Sequence, residues 1–256
     1  MGKKHFCLPV AILAFQFFFL DFPFSPLHAQ VQEQSEQLRI LIWADLDAFP
    51  GSFDAEKSSV EEKKEEDKKE EDKKDQDQLH RIFGFSIERS KQIAPFLLNG
   101  MINGWRFDYT PYDRLRGVKE YWEFDEIKPF DPKMNPVEFH DPEPMENKLV
   151  SRAYCNRTLM QQEEYRRWSS IVHPHIKGVG RASVEKGFDG IKEACSMALK
   201  DAVREYWRTL IKNKPKEISG TVLLIRDPRI YIRSGQYVVD LDFFLETDRI
   251  IEYTQF

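Results

Sequence analysis

The sequence lacks an excess of positive charge. Its 38 Lys and Arg residues stand against 43 Asp and Glu residues, which gives a formal net charge of -5 at pH 7. No basic stripe interleaved with aromatic residues occurs along the chain. Because proteins bind nucleic acids mainly through cationic side chains at the phosphates, this composition argues against a nucleic-acid partner.

Long apolar runs are also lacking, except at the N-terminus. Residues 6–20 read FCLPVAILAFQFFFL, after Lys3 and Lys4 and before a Pro-containing stretch that ends at Ala29. This pattern is typical of a signal peptide, so we expect residues 1–29 to be removed on export. An uncleaved anchor is the alternative, although these 15 residues are short for a membrane span of about 20. We therefore expect a periplasmic or secreted protein with no membrane span after cleavage.

Cysteine is scarce, with three residues in the chain. Cys7 precedes the apolar run, so it is not placed like the acylated cysteine of a lipoprotein. In an oxidising compartment Cys155 and Cys195 can form a disulfide, which closes a loop of about 40 residues and adds roughly 3–4 kcal/mol in the chain-entropy model. Two buried free thiols are the alternative, because Cys195 lies on the apolar side of a helical pattern.

Apolar residues are almost missing from residues 56–78. Within this segment, residues 61–75 read EEKKEEDKKEEDKKD and contain nine acidic residues and six lysines. Such a segment buries too little surface to offset its ordering entropy. We predict a disordered, low-complexity insertion that is helical at most in part. It divides an N-terminal α/β portion that comprises residues 30–55 and 79–130.

After the insertion the pattern predicts one helix and two strands. Ser86 is a suitable N-cap for a helix over residues 86–104, and residues 105–127 predict two strands on either side of a turn. Five prolines within residues 129–144 then interrupt regular structure. Residues 131–148 are therefore predicted to form an extended, Pro-rich connector.

The clearest pattern lies in the C-terminal portion, residues 149–256. Between Phe188 and Ile211 apolar residues recur at three- and four-residue spacing, with alanines on the same face. This spacing predicts a long amphipathic helix that can lie close to a sheet. Three strands are predicted after it, in ISGTVLLI, PRIYI and YVVDLDFFLE. The expected fold class is α+β, with an antiparallel sheet packed by the C-terminal helix.

Two Asp-x-Asp motifs lie in predicted strands. Asp45 and Asp47 follow ILIWA, and Asp240 and Asp242 lie in YVVDLDFFLE. In each motif the two carboxylates share one face of the strand, and hard divalent cations prefer oxygen ligands. If the two strands were neighbours in a sheet, the four carboxylates would form one metal site. The simpler interpretation is two ordinary strands with solvated outer faces.

Aromatic residues and arginines occur together in the second half of the chain. The clearest example is the run Tyr165, Arg166, Arg167 and Trp168. Aromatic and Arg side chains anchor many protein interfaces, and they also fill cores. We predict that these four residues form a partner-binding surface.

Residues 182–246 combine the helical pattern GIKEACSMALKDAV with the strands EISGTVLLI and YVVDLDFF. This combination resembles a small α+β module of exported bacterial lipoproteins and of the periplasmic flagellar T-ring protein family. The resemblance covers about a quarter of the chain. It implies a component of the cell envelope and points to no catalytic residue.

Together these patterns predict an exported, periplasmic binding or assembly protein with a protein partner in the cell envelope, without catalysis and without a cofactor. One alternative is a divalent-metal-dependent hydrolase that uses Asp45 and Asp47 with Asp240 and Asp242. A second alternative is a small-ligand binder with a cleft between its two portions.

Overall fold

The structure is a computed structural model that describes residues 36–45, 72–140, 142–210 and 215–253. Side chains are described except those of Asp45 and of residues 72–83. The predicted signal peptide, Asp47 and the first part of the charged insertion lie outside these residues. Within them, no helix combines the length and the apolar character that a membrane crossing requires.

The smaller of two sheets has four antiparallel strands arranged around β6. β1 (Gln37–Asp45) pairs along its whole length with β6 (Lys148–Asn156). Two short strands, β4 (Val137–Phe139) and β5 (Glu143–Met145), pair with the opposite edge of β6. The Pro-rich segment therefore contributes two strands to this sheet.

β1 shows the alternation that its sequence predicts. Ile40, Ile42 and Ala44 are buried, whereas Leu41 is exposed and Trp43 is half-buried. Successive side chains of a strand point to opposite faces, so the buried residues form one side of the sheet. That side packs against the first helix of the structure and joins the main hydrophobic core.

The larger sheet has six antiparallel strands in the order β3-β2-β8-β10-β7, with β9 beside the first half of β10. The strands are β2 (Trp105–Thr110), β3 (Tyr121–Glu126), β7 (His175–Ser183), β8 (Glu217–Leu224), β9 (Arg229–Arg233) and β10 (Gln236–Ile251). Both sheets thus contain strands from either side of the Pro-rich segment, and these strands share one core. The fold is α+β, as the sequence predicts.

Helix α1 (Asp72–Ile102) lies between the two sheets. Phe96 stacks on Trp105 of β2 with ring centroids 5.2 Å apart. The prediction that this helix begins at Ser86 is wrong, because Ser86 lies inside it and its carbonyl accepts a hydrogen bond from the Ser90 hydroxyl. The Lys, Asp and Gln residues upstream are tolerated in helices, so the helix starts earlier and includes the end of the charged insertion.

The described residues contain two further helices, α2 (Leu159–Trp168) and α3 (Gly187–Leu210), and α3 follows a single 3-10 turn. α3 is the predicted C-terminal helix, and it packs on the larger sheet at very short range. A Cβ atom added to Gly180 of β7 would lie 1.9 Å from the carbonyl oxygen of Ala194. Glycines on the strand and alanines on the helix therefore let the two backbones touch.

The larger sheet curves around α3. Gly178 and Gly180 of β7 contact one side of the helix. Trp122 of β3, at the other end of the strand order, donates from its indole Nε1 to the Ser196 hydroxyl of the same helix at 2.8 Å. Because β3 and β7 are the two edge strands of this order, the sheet must bend for both to reach one helix.

Candidate interaction surface at helix α2

The two Asp-x-Asp motifs lie in different sheets. Asp45 is the last residue of β1 in the smaller sheet, opposite Lys148. Asp240 and Asp242 lie on β10 in the larger sheet, and Asp47 lies outside the described residues. The predicted four-carboxylate site required these two strands to be neighbours in one sheet, and they are not. In the part of the chain that the structure describes, no group of three or more His, Cys, Asp and Glu side chains could hold a metal ion.

Asp242 instead forms two ion pairs. It lies on the outer face of the larger sheet, where it is buried beneath the cations that bind it. Its carboxylate is 3.3 Å from the Lys177 ammonium and also pairs with the Arg226 guanidinium. A carboxylate that is already neutralised by two cations has little attraction left for a divalent ion.

Both cysteines of the predicted disulfide are free thiols in the structure. Cys155 lies on β6 and Cys195 on α3, and both side chains are buried. Burial raises the pKa of Cys155 to about 11, and it also raises the pKa of Cys195. The structure thus has the alternative arrangement, in which each cysteine fills space in the core.

Helix α2 has a well-defined start. The Thr158 hydroxyl accepts a hydrogen bond from the Gln161 backbone N–H, and the Gln161 side chain accepts one from the Thr158 N–H. This reciprocal cap satisfies two N–H groups that a helix leaves open. The Gln161 amide also exchanges hydrogen bonds with Asn135, at 2.9 Å each. The Pro-rich segment is therefore attached to the first turn of α2.

The aromatic residues of the predicted partner-binding run face inward. Tyr165 and Trp168 are buried and pack on Leu223 of β8 and Phe244 of β10. They are three residues apart on a helix, so they lie on the same side of it. Within the run, the side chains of Arg166 and Arg167 are the exposed ones. The two aromatic residues thus fix the helix to the sheet, and the two arginines face outward.

Arg157 is a buried cation under this helix. Its Nη2 donates to the carbonyl of Met101 at 2.9 Å, in the last turn of α1. Its guanidinium lies 4.1 Å from the centre of the Tyr165 ring. Burial lowers the pKa of Arg157 to about 10. Arg157 therefore joins the end of α1 to α2, a role that nothing in its local sequence indicates.

Exposed aliphatic side chains flank the two arginines. Leu159 and Met160, in the first turn of α2, are 79% and 84% exposed. Ile171 and Val172, in the turn after α2, are 102% and 76% exposed. We define the α2 surface by six exposed residues: Leu159, Met160, Arg166, Arg167, Ile171 and Val172. The exposed Glu163 lies among them, and Arg167 pairs with Glu164. Such a mixture of aliphatic and guanidinium groups is suited to binding another macromolecule.

A family model matches residues 24–253 of the chain, which include the two sheets and three helices of the described residues. The chain belongs to this family, one of uncharacterized Treponema proteins. The chain is also similar to an "Uncharacterized protein" of Treponema pallidum (strain Nichols). It is 26% identical over 164 residues, which cover 64% of this chain and 69% of the relative.

Neither match supports the resemblance to lipoproteins or to the flagellar T-ring family, because neither names such a protein. No solved structure matches the chain. The name of the relative states no activity, ligand or partner.

Proposed function

We propose that the chain is an exported protein of the periplasm that binds or assembles with a protein partner and catalyses no reaction. The observation that carries this proposal is the α2 surface, with four strongly exposed aliphatic side chains beside two arginines. Burial of one such aliphatic side chain contributes about 1.5–3 kcal/mol, so a partner that covers several of them gains substantial free energy.

The attachment of α2 supports a binding role. Tyr165 and Trp168 hold the helix on the sheet, and Arg157 ties it to α1. A surface on a rigid element loses little conformational freedom on binding. The aliphatic side chains at both ends of α2 are therefore presented in a fixed arrangement before a partner arrives.

Two features support export. Residues 6–20 form an apolar run that follows two lysines, which is typical of a signal peptide. The family match begins at residue 24 and leaves that run outside it. Cell fractionation followed by N-terminal sequencing tests this part, and we expect a periplasmic form that begins at Gln30. A cytoplasmic protein with an intact N-terminus would contradict it.

Site-specific photo-crosslinking in intact cells tests the partner. A photoreactive amino acid replaces Met160 or Ile171 on the α2 surface, and a third variant carries it at Met145, which is 58% exposed on β5. We expect the same envelope protein to be captured from positions 160 and 171 and not from 145. The yield of the adduct should fall when Arg166 and Arg167 are changed to Glu, because these two cations lie next to the contact.

The outcomes separate binding from metal chemistry. Absence of any adduct at 160 and 171, or the same adducts at 145, would contradict the use of the α2 surface.

Thermal unfolding after chelation, with Mg²⁺, Mn²⁺, Ca²⁺ or Zn²⁺ added back, tests the alternative of a divalent-metal-dependent hydrolase. An ion at about 100 times its Kd stabilises a protein by roughly 2.7 kcal/mol. Such a gain, lost in Asp240→Asn, would support a metal-dependent enzyme instead.

A further inference from the structure

The loop between β2 and β3, residues 111–120, is ordered by one aspartate. The Asp113 carboxylate accepts hydrogen bonds from the backbone N–H groups of Leu115 and Arg116 at 3.0 and 3.2 Å. The backbones of Asp113 and Val118 pair across the loop at 3.0 and 2.9 Å. Gly117 has a φ of 68°, which lets the chain turn back at little cost. The loop is therefore pre-organised.

This arrangement places an aliphatic side chain at the tip of the loop. Leu115 is 95% exposed, with Arg114 and Arg116 on either side. The Arg116 guanidinium pairs with Asp113 at 2.7 Å and lies 4.1 Å from the centre of the Tyr253 ring. These contacts hold the base of the tip in place, while Leu115 and Arg114 extend into solvent.

Within the loop, three cations stand against two carboxylates. The loop carries Arg114, Arg116 and Lys119, and Lys200 of α3 donates to Glu120 at 2.8 Å. Burial raises the pKa of Glu120, but Lys200, the Tyr109 hydroxyl and the nearby charge of Arg204 lower it to below its ordinary value.

Both carboxylates of the loop, Asp113 and Glu120, thus already have cationic partners. Arg114 and Lys119 face solvent at the tip, whereas the carboxylates of Asp108, Glu123 and Asp125 lie near Tyr121, at the end of the loop. Two exposed cations beside the tip of an otherwise acidic protein attract anionic groups to the tip.

Exposed tyrosines stand beside the tip. Tyr112 and Tyr121, near the two ends of the loop, are each 53% exposed. Tyr and Trp rings favour the headgroup level of a membrane, and Arg and Lys side chains extend their charges toward phosphates while their stems stay apolar. The Tyr121 hydroxyl donates to Glu123, so Tyr112 is the tyrosine on the side of the cations. An aliphatic tip with this tyrosine and the cations beside it matches the layers of a bilayer surface.

We propose that the β2–β3 loop docks on an anionic phospholipid surface. Leu115 enters the boundary between headgroups and acyl chains, and Arg114 and Lys119 contact headgroup phosphates. The binding is peripheral and reversible, because one buried aliphatic side chain with a few cations provides only modest affinity.

The geometry favours a lipid surface over an acidic protein. A stable protein interface buries about 800 Å² on each partner around packed anchors. The loop offers one projecting leucine at its tip, which is too small for such a contact. A bilayer surface needs no complementary pocket, so a single projecting side chain can enter it.

The loop and the α2 surface lie at opposite ends of the larger sheet. Tyr109, next to the loop, pairs with Ile218 at the start of β8, whereas Leu223 at the end of β8 packs under α2. A protein docked through the loop would therefore present its α2 surface away from the lipid. This inference does not rest on the proposed function, since the two surfaces are separate.

A polarity-sensitive fluorophore in the full chain tests the docking. Cys7 is changed to Ser, and Cys155 and Cys195 are buried. The label is then attached to Leu115→Cys or, as a matched control, to Ile171→Cys, which is equally exposed in another turn. The N-terminal apolar run is the same in both proteins, so it cannot produce a difference between them.

We expect a blue shift at position 115 with vesicles of phosphatidylglycerol and phosphatidylcholine, none with phosphatidylcholine alone, and none at position 171. Changing Arg114 and Lys119 to Gln should weaken the response roughly 20- to 30-fold, because each basic residue near an anionic surface contributes about five-fold. High salt should also weaken the fluorescence response at position 115, because it screens the attraction between the cations and the phosphates.

Three results would overturn the proposal. The first is no shift at 115 with anionic vesicles. The second is an equal shift at 115 and 171, which would mean unspecific adsorption. The third is a shift at 115 with soluble polyglutamate but not with vesicles, which would assign the loop to an acidic polypeptide.

Discussion

The backbone N–H of Leu41 donates a hydrogen bond of 2.9 Å to the carboxylate of Asp227. Leu41 lies on β1 of the smaller sheet, and Asp227 lies between β8 and β9 of the larger sheet. Next to this bond, the Trp43 indole donates to the carbonyl of Ile230 at 3.0 Å. The outer edge of β1 is therefore attached to the other sheet by two hydrogen bonds, one of them to an ionisable group.

The first prediction concerns Asp227→Asn. Burial raises the pKa of Asp227 from 3.8 to about 6, although the Leu41 hydrogen bond and the Arg39 charge act in the opposite direction. The native state therefore binds this proton more tightly than the unfolded state, so stability falls as the pH rises from about 4 to 6. Asn keeps an oxygen acceptor for Leu41 and carries no charge. Because the Asp227 side chain is partly open to solvent, which screens its charge, we expect a gain of no more than about 1 kcal/mol at pH 7.5 and none at pH 4.

Urea unfolding at several pH values measures this effect. Asp125→Asn, on the exposed edge strand β3, makes the same change of charge. We expect it to leave the difference between pH 4 and pH 7.5 unaltered. A stability of Asp227→Asn below that of the native chain at pH 7.5 would show that the ionised carboxylate is needed for the contact with β1.

The second prediction concerns Gly180→Ala. The new Cβ would lie 1.9 Å from the Ala194 carbonyl and 2.3 Å from the Ala198 nitrogen, and neither backbone atom can move freely. We expect a loss of about 3 kcal/mol or more in the free energy of unfolding. Gly84→Ala in α1 is the matched control, because no atom lies within 4 Å of its Cβ position. It should stabilise by about 0.5–1 kcal/mol. Similar effects of both changes would contradict the close contact of α3 with β7.

The sequence predicts those parts of the fold in which local periodicity coincides with burial. α3 buries Ala194, Ala198 and Ala202, which are three of the alanines on its predicted face. β1 likewise alternates between buried and more exposed residues as the sequence indicates, whereas β10 is buried on both faces between Tyr237 and Leu245. In α3 and β1 the side-chain pattern and the tertiary contacts require the same conformation, so local reasoning is sufficient.

Prediction fails where the deciding contact is distant in the sequence. β4 and β5 have three residues each and are stabilised by pairing with β6. The contact from Leu41 to Asp227 spans 186 residues, and that from Arg157 to Met101 spans 56. Nothing in the local sequence distinguishes Asp227 or Arg157 from residues of the same type that make no such distant contact. The spacing of Tyr165 and Trp168 indicates that both lie on the same side of the helix. It does not indicate which sheet they pack against.

The third prediction concerns Arg157→Ala. The change removes the donor to the Met101 carbonyl at the end of α1 and the group stacked on Tyr165. We expect a loss of about 2–4 kcal/mol, since a buried polar contact and its packing disappear together. Arg157→Lys should recover only part of it, because an ammonium cannot stack as a planar guanidinium does.

Urea unfolding and hydrogen exchange of α2 together measure this loss. The exposed Arg152 on β6 is the matched position, and its change to Ala should alter stability by no more than about 0.5 kcal/mol. Faster exchange in α2 is expected for Arg157→Ala. Unchanged exchange in α2, with a full loss of stability, would show that Arg157 acts on α1 and not on the attachment of α2.

The fourth prediction is that Cys155 and Cys195 stay reduced and unreactive in the folded protein. Both are buried, and the pKa of Cys155 is about 11, so at neutral pH almost none of it is the reactive thiolate. Iodoacetamide should therefore modify neither residue in the native protein, and it should modify both after unfolding without a reductant. Mass spectrometry of the two peptides measures the modification. If both residues resisted alkylation in the unfolded, unreduced protein and reacted only after reduction, they would form a disulfide.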